Sequence, residues 1–263
     1  LPENSFDCSE PLRRCSGNRL LAMRRAEKEG ILKVSISVDG EDVVDRMEKL
    51  FVRGHGTCQD LVKEAVADAY KRLLCPSIEN EFAALSKQKA DEEAIDIFKK
   101  NLRQLLLQAP LGQKRVIGLD PGIRTGCKVV CLDGLGNLLH HEVIFPYGPK
   151  GNERVAAERV ETLAKQYHAE AIAVGNGTAG RSTRDLVSQQ LKDTAIPVFE
   201  VSEDGASVYS ASKVAREEFP NEDVTVRGAV SIARRLMDPL AELVKIDPRS
   251  MGIGQYQHDV DQG

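Results

Sequence analysis

The sequence predicts a mixed α/β domain, a five-stranded sheet with flanking helices, behind a mainly helical region. Two observations carry that division. Upstream of residue 113, apolar residues recur at helical spacing, as in Leu61, Val62, Ala65, Val66, Ala69 and Leu73. Downstream, short apolar runs alternate with glycine turns and amphipathic stretches, beginning at Val116-Ile-Gly-Leu119. The composition, 41% hydrophobic and 29% charged, is that of an ordinary globular protein. A net charge of −4 gives no overall basic footprint, so any nucleic-acid contact needs a local patch. No run of about 18 apolar residues is present, which excludes a helical membrane span. Cys8, Cys15, Cys58, Cys75, Cys127 and Cys131 form no C-x-x-C pair and no zinc spacing with histidine. Free thiols in a reducing cytoplasm are expected.

In order along the chain, helices are expected over residues 18–29 and 41–51, with a short alternating strand over 31–38 between them. A helix from residue 57 or 58 to 74 should end at Pro76, because proline lacks an amide hydrogen and restricts the residue before it. Residues 78–107 continue the apolar stripe as one long helix or as two segments around Lys89. Arg13, Arg14, Arg19, Arg24, Arg25 and Lys28 could touch phosphate. The interleaved Glu27 and Glu29 favour a solvated helix face instead. Pro110-Leu-Gly-Gln-Lys114 marks the domain boundary, near Gln113.

Beyond it, residues 116–119 predict a buried strand, Pro121-Gly122 a turn, and residues 125–132 an antiparallel partner. Residues 138–145 complete a meander after Gly134-Leu-Gly-Asn137. A helix over 151–167 turns Val155, Val160 and Leu163 to the core. A strand at 171–174, a helix at 181–191, a strand at 198–201 and helices at 206–217 and 229–244 follow. Cys127 and Cys131 share one strand face and should pack as small apolar residues, while the neighbours His140 and His141 must point to opposite faces.

This order places Asp120 at the carboxyl end of a central strand beside a glycine turn, where open α/β sheets bind ligands. The bland alternative is a hairpin tip whose Asp caps its own turn. Gly175-Asn-Gly-Thr-Ala-Gly180 could bind an anion at a helix N-terminus, or be a plain loop capped by Thr178 or Ser182. Ser207, Tyr209, Ser210 and Ser212 offer hydroxyls near Asp120 or simply start a helix. Arg181, Arg184, Arg227, Arg234 and Arg235 form the best basic surface. Ion pairs of Arg234 and Arg235 with Glu217, Glu218 or Asp238 are the structural alternative.

Three antiparallel strands followed by parallel strands with crossover helices is the ribonuclease H order, and also that of one actin-like ATPase lobe. Several motifs then resemble one family. They are Gly118-Leu-Asp-Pro-Gly-Ile-Arg-Thr-Gly126, Val174-Gly-Asn-Gly-Thr-Ala179, Gly205-Ala-Ser-Val-Tyr-Ser-Ala-Ser212, Val226-Arg-Gly-Ala-Val-Ser-Ile-Ala-Arg-Arg-Leu236 and Gly254-Gln-Tyr-Gln-His-Asp-Val260. Together with the segment from Asn18 to Val34, they resemble the Tex family of transcription accessory proteins. The resemblance implies a ribonuclease H-like domain of the YqgF/RuvC type at 114–248, a Tex N-terminal-region segment at 1–113, and a linker at 249–263 toward a helix-hairpin-helix domain. It implies a nucleic-acid partner, RNA or DNA, bound mainly through domains outside this chain, and contact with the transcription machinery. The opening Leu1-Pro-Glu-Asn4 has neither an initiator Met nor a signal-peptide pattern, as expected of an excised or processed chain.

Two-metal nucleases of this fold hold their ions with about four carboxylates. On this resemblance Asp120 fills the first position. Asn176 stands where RuvC carries Glu, Glu203 or Asp204 follows the last strand, and Arg227 falls near the carboxylate position of the final helix. Gly122, Thr125, Asn176 and Ser207 should line the site. The expectation is a degenerate nuclease site acting as a scaffold, with weak Mg²⁺ binding at Asp120 and Glu203. The alternative is a working metal-dependent nuclease that recruits a further carboxylate such as Asp204 or Asp223. An actin-like ATPase would need a second lobe, for which the α/β part is too short.

Overall fold

A computed structural model describes residues 8–38, 40–149 and 151–260; the opening seven residues, including Leu1 to Asn4, lie outside the described part, as do Asp39, Lys150 and 261–263. Two compact units result, residues 1–99 with 254–263 and residues 100–253. These units part inside a helix, between Lys99 and Lys100. No helix among the described residues is long and apolar enough to cross a membrane.

The first unit holds α1 (Gly17–Lys28), α2 (Gly40–Phe51), α3 (Thr57–Ala69) and most of α4 (Cys75–Leu106). Leu20 and Leu21 of α1 pack with Ala90 of α4 and with Tyr256 and Val260. The expected strand at 31–38 is not formed. The segment keeps the alternation, Leu32, Val34 and Ile36 half-buried and Lys33, Ser35 and Ser37 exposed, yet among the described residues no strand pairs with it. Alternation reports an extended chain; a ladder also needs a partner. Nor does Pro76 stop the helix. Tyr70–Leu74 widens into a π-helical turn, in which the Cys75 amide donates to the Tyr70 carbonyl five residues back. The wider turn makes room for the ring of Pro76, the second residue of α4, which runs 32 residues without a break at Lys89.

The second unit is built on five strands, β1 (Val116–Asp120), β2 (Cys127–Leu132), β3 (Leu138–Ile144), β4 (Ala171–Gly175) and β5 (Val198–Val201), in the order β3-β2-β1-β4-β5. β1 to β3 form the antiparallel meander, and β4 and β5 run parallel to β1. This is the expected ribonuclease H-like sheet. α5 (Glu153–Gln166) and α6 (Gly180–Gln190) cover one face, over Ile117, Leu119, Cys127, Val129 and Cys131. The core side of α5 is Ala156, Val160 and Leu163, whereas the predicted Val155 is exposed, one position off the buried stripe.

The opposite face is covered by α9 (Val224–Met237). Here Gly118 is required: a Cβ on it would lie 2.7 Å from the Ala233 Cβ and 2.9 Å from the Ala229 carbonyl, so only glycine lets helix and strand approach this closely. The predicted helix over 206–217 is two, α7 (Ala206–Ala211) and α8 (Lys213–Glu218), because Ser212 is extended and caps α8 by accepting from the Ala215 amide. The predicted helix over 229–244 starts earlier and also divides. Asp223 caps α9 through the Thr225 and Val226 amides, and Asp238-Pro239 ends it and starts α10 (Pro239–Leu243). A third cluster joins Tyr209, Leu243, Ile246 and Met251 to Leu102, Leu105 and Leu106 from the end of α4.

Candidate functional site

Strand β1 leaves the sheet at Asp120 with its even-numbered residues toward α9, so the carboxylate meets the space between α9 and the loop after β5. There it lines a cleft of about 320 Å³ with Glu203, Ala206, Ser207, Ser210, Val224, Thr225, Gly228 and Ile232. Burial and the Glu203 charge raise the Asp120 pKa above its usual range, and Lys128, its partner across β2, partly offsets them. Two carboxylates thus share the cleft, with Ser207, Ser210 and Thr225 as neutral oxygen donors.

Glu203 is held from several sides. Its amide donates to the Asn176 side-chain oxygen (3.1 Å), and its carbonyl accepts from Ala206 (2.9 Å). A Cβ on Gly177 would overlap its carboxylate, and one on Gly175 would stand 3.1 Å from Oε2, so these glycines leave the room in which the side chain lies. Asn176 accordingly braces the Glu203 backbone and does not line the cleft, a correction to its predicted place. Gly122 and Thr125, also expected to line the cleft, are not among its lining residues; they lie in the β1–β2 turn, where Lys128 Nζ donates to Thr125 Oγ1 (2.6 Å). Ser207 lines the cleft as expected. Ser210 does so too, while Tyr209 is buried and donates to Glu218.

The final helix presents Gly228, not Arg227, to Asp120: a Cβ there would lie 3.9 Å from Oδ2. Arg227 turns away and donates from Nε to the Phe219 carbonyl (3.1 Å). One residue is about 100° of helix rotation, and the predicted alignment was off by that step. Neither carboxylate proposed as a third ligand lines the cleft; Asp204 accepts from Ser202 Oγ and Asp223 caps α9. Among the described residues no group of three or more His, Cys, Asp and Glu side chains is placed to hold a metal ion. Asp120 and Glu203 are the carboxylates that would hold a divalent cation in this cleft.

The predicted basic surface is largely committed elsewhere. Arg184 pairs with Asp185 and Glu200. Arg234 pairs with Glu218, donates to the Gly136 carbonyl and lies over the Phe219 ring, so it is a packing residue. Arg181 is exposed at the start of α6. That helix is not capped by Thr178 or Ser182; Ala179 precedes it in the left-handed region at φ +64°, with no side-chain cap. Arg235, read from the sequence as part of that surface or as an ion-pair partner of Glu217, Glu218 or Asp238, is instead buried on α9, where its Nη1 donates to the Ser202 and Asp204 carbonyls.

Residues 114–237 match the family described as Tex protein YqgF-like domain, and residues 3–98 the one described as Tex central region-like. Protein YdcI of Bacillus subtilis is 48% identical over 99% of this chain and 37% of its own length. The transcriptional accessory protein Tex of Neisseria gonorrhoeae is 41% identical over 98% of this chain and 35% of its own. The human S1 RNA-binding domain-containing protein 1 is 35% identical over 98% of this chain and 27% of its own. The chain thus spans about a third of the length of these relatives. With the ribonuclease H-like sheet and these two matches, the chain belongs to the Tex family, its YqgF-like domain preceded by a segment that resembles the family's central region rather than the N-terminal region expected from the sequence.

Proposed function

We propose that the YqgF-like domain is a catalytically degenerate scaffold within a nucleic-acid-binding transcription accessory protein of the cytoplasm. The observation that carries this reading is the cleft itself: Asp120 and Glu203 are its carboxylates, and Gly228 faces Asp120 from the final helix. In-line hydrolysis of a phosphodiester by two metals needs both the attacking and the leaving oxygen stabilised. Two carboxylates support one ion, so the cleft retains a weak divalent-cation site without the second metal. The names of the relatives, one a transcriptional accessory protein and one containing an S1 RNA-binding domain, support a nucleic-acid partner engaged mainly by other parts of the protein. The committed arginines fit a domain that holds flanking modules rather than one that grips a strand itself.

The test is cleavage of labelled single-stranded RNA, duplex DNA and branched DNA with Mg²⁺ or Mn²⁺, using the chain and its Asp120→Asn variant. No metal-dependent cleavage by either is expected. Cleavage that disappears in the variant would establish the nuclease and sink the scaffold reading.

A further inference from the structure

Arg235 is buried on α9, 4% exposed, two turns beyond Gly228 on the same helix face. A buried guanidinium is costly unless its surroundings compensate it. Its Nη1 donates to two backbone carbonyls, Ser202 and Asp204, each at 2.8 Å. These carbonyls bracket Glu203. The loop has left β5 at Val201 and must reach α7 through Gly205 at φ +71°. Three residues there carry no sheet hydrogen bonds; Asn176 and the Ala206 amide hold the Glu203 backbone, and the two carbonyls beside it are what tie this loop to α9. With the carbonyls on both sides drawn inward to α9, the residue between them is directed over Gly175 and Gly177 toward Asp120.

We infer that Arg235 is a positioning residue of the cleft: by bridging the Ser202 and Asp204 carbonyls it presents the Glu203 carboxylate to Asp120, so that the two together hold one divalent cation. This rests on the cation-binding reading of the cleft given above. The sign of its effect separates it from a role through charge. A fixed positive charge near two carboxylates repels a metal ion, so its removal should tighten binding if charge were all it supplied. Positioning demands the reverse.

The experiment measures Mn²⁺ binding to the 263-residue chain by electron paramagnetic resonance, below each variant's unfolding transition, together with amide hydrogen exchange over residues 202–206. Wild type is expected to bind one Mn²⁺. Arg235→Met should weaken it about tenfold and speed exchange of the Glu203 amide while the amides of β1 and β4 stay protected. Gly177→Ala, which displaces the carboxylate from the surface side without touching the core, should weaken Mn²⁺ comparably and guards against poor folding of the first variant. Binding equal to or tighter than wild type in Arg235→Met, or wild-type affinity in Gly177→Ala, would overturn the inference. Absence of Mn²⁺ binding by wild type would overturn the cation reading beneath it, whereas unchanged exchange in Arg235→Met would overturn the clamp itself.

Discussion

Asp120 carries a charge that its surroundings disfavour. A carboxyl whose pKa is raised on folding contributes stability below its unfolded value, near 3.8, and loses it as the pH rises through the folded value. At neutral pH the ionised Asp120 therefore destabilises the domain. Asp120→Asn should raise Tm at pH 7 by about 2 °C, with the difference disappearing as the pH approaches 4, measured by calorimetry in chelator. A lower Tm at pH 7 would mean that the carboxylate has a compensating partner. The importance of Asp120 was legible because a strand end beside Pro-Gly is set by local sequence. Gly228 was not: its meaning depends on helix phase, and phase requires the start of α9, which the Asp223 cap placed five residues ahead of the prediction.

Among the elements, the sheet was more legible than the helices around it. Strand edges are set by apolar runs and turns, both local, and all five strands fell where the pattern put them. Helix ends depend on single capping side chains, and Ser212 and Asp238 each divided a predicted helix. The α9–β1 contact gives a direct test. Gly118→Ala inserts a methyl against Ala233, the Ala229 carbonyl and Val130, none of them the loose end of a long side chain. Overpacking of this kind costs about 1 to 3 kcal/mol, to be read from urea unfolding. An unchanged midpoint would show that α9 can retreat from the sheet.

For the whole molecule, the boundary read from the sequence at Gln113 and the packing give different fragments. Leu102, Leu105, Leu106 and Ile253 cover the cluster of Tyr209, Leu243, Ile246 and Met251, and all lie outside residues 114–248. A fragment of residues 100–253 should therefore be more stable than one of 114–248 by at least about 2 kcal/mol, given the apolar surface the longer piece buries. Equal denaturation midpoints would make that cluster an accessory rather than part of the core. Proline and glycine punctuation reports where the chain can bend, not which side of the bend belongs to which core.

The π-helical turn at Tyr70–Leu74 has its own result for the first unit. A turn holding one residue more than an α-helix needs advances everything after it by roughly 100° about the axis. The apolar stripe of α3 and that of α4 are thereby set out of register along what is otherwise a continuous rod. A helix with a single stripe packs along one line; this rod presents its apolar side chains along two, one before Tyr70–Leu74 and one after it.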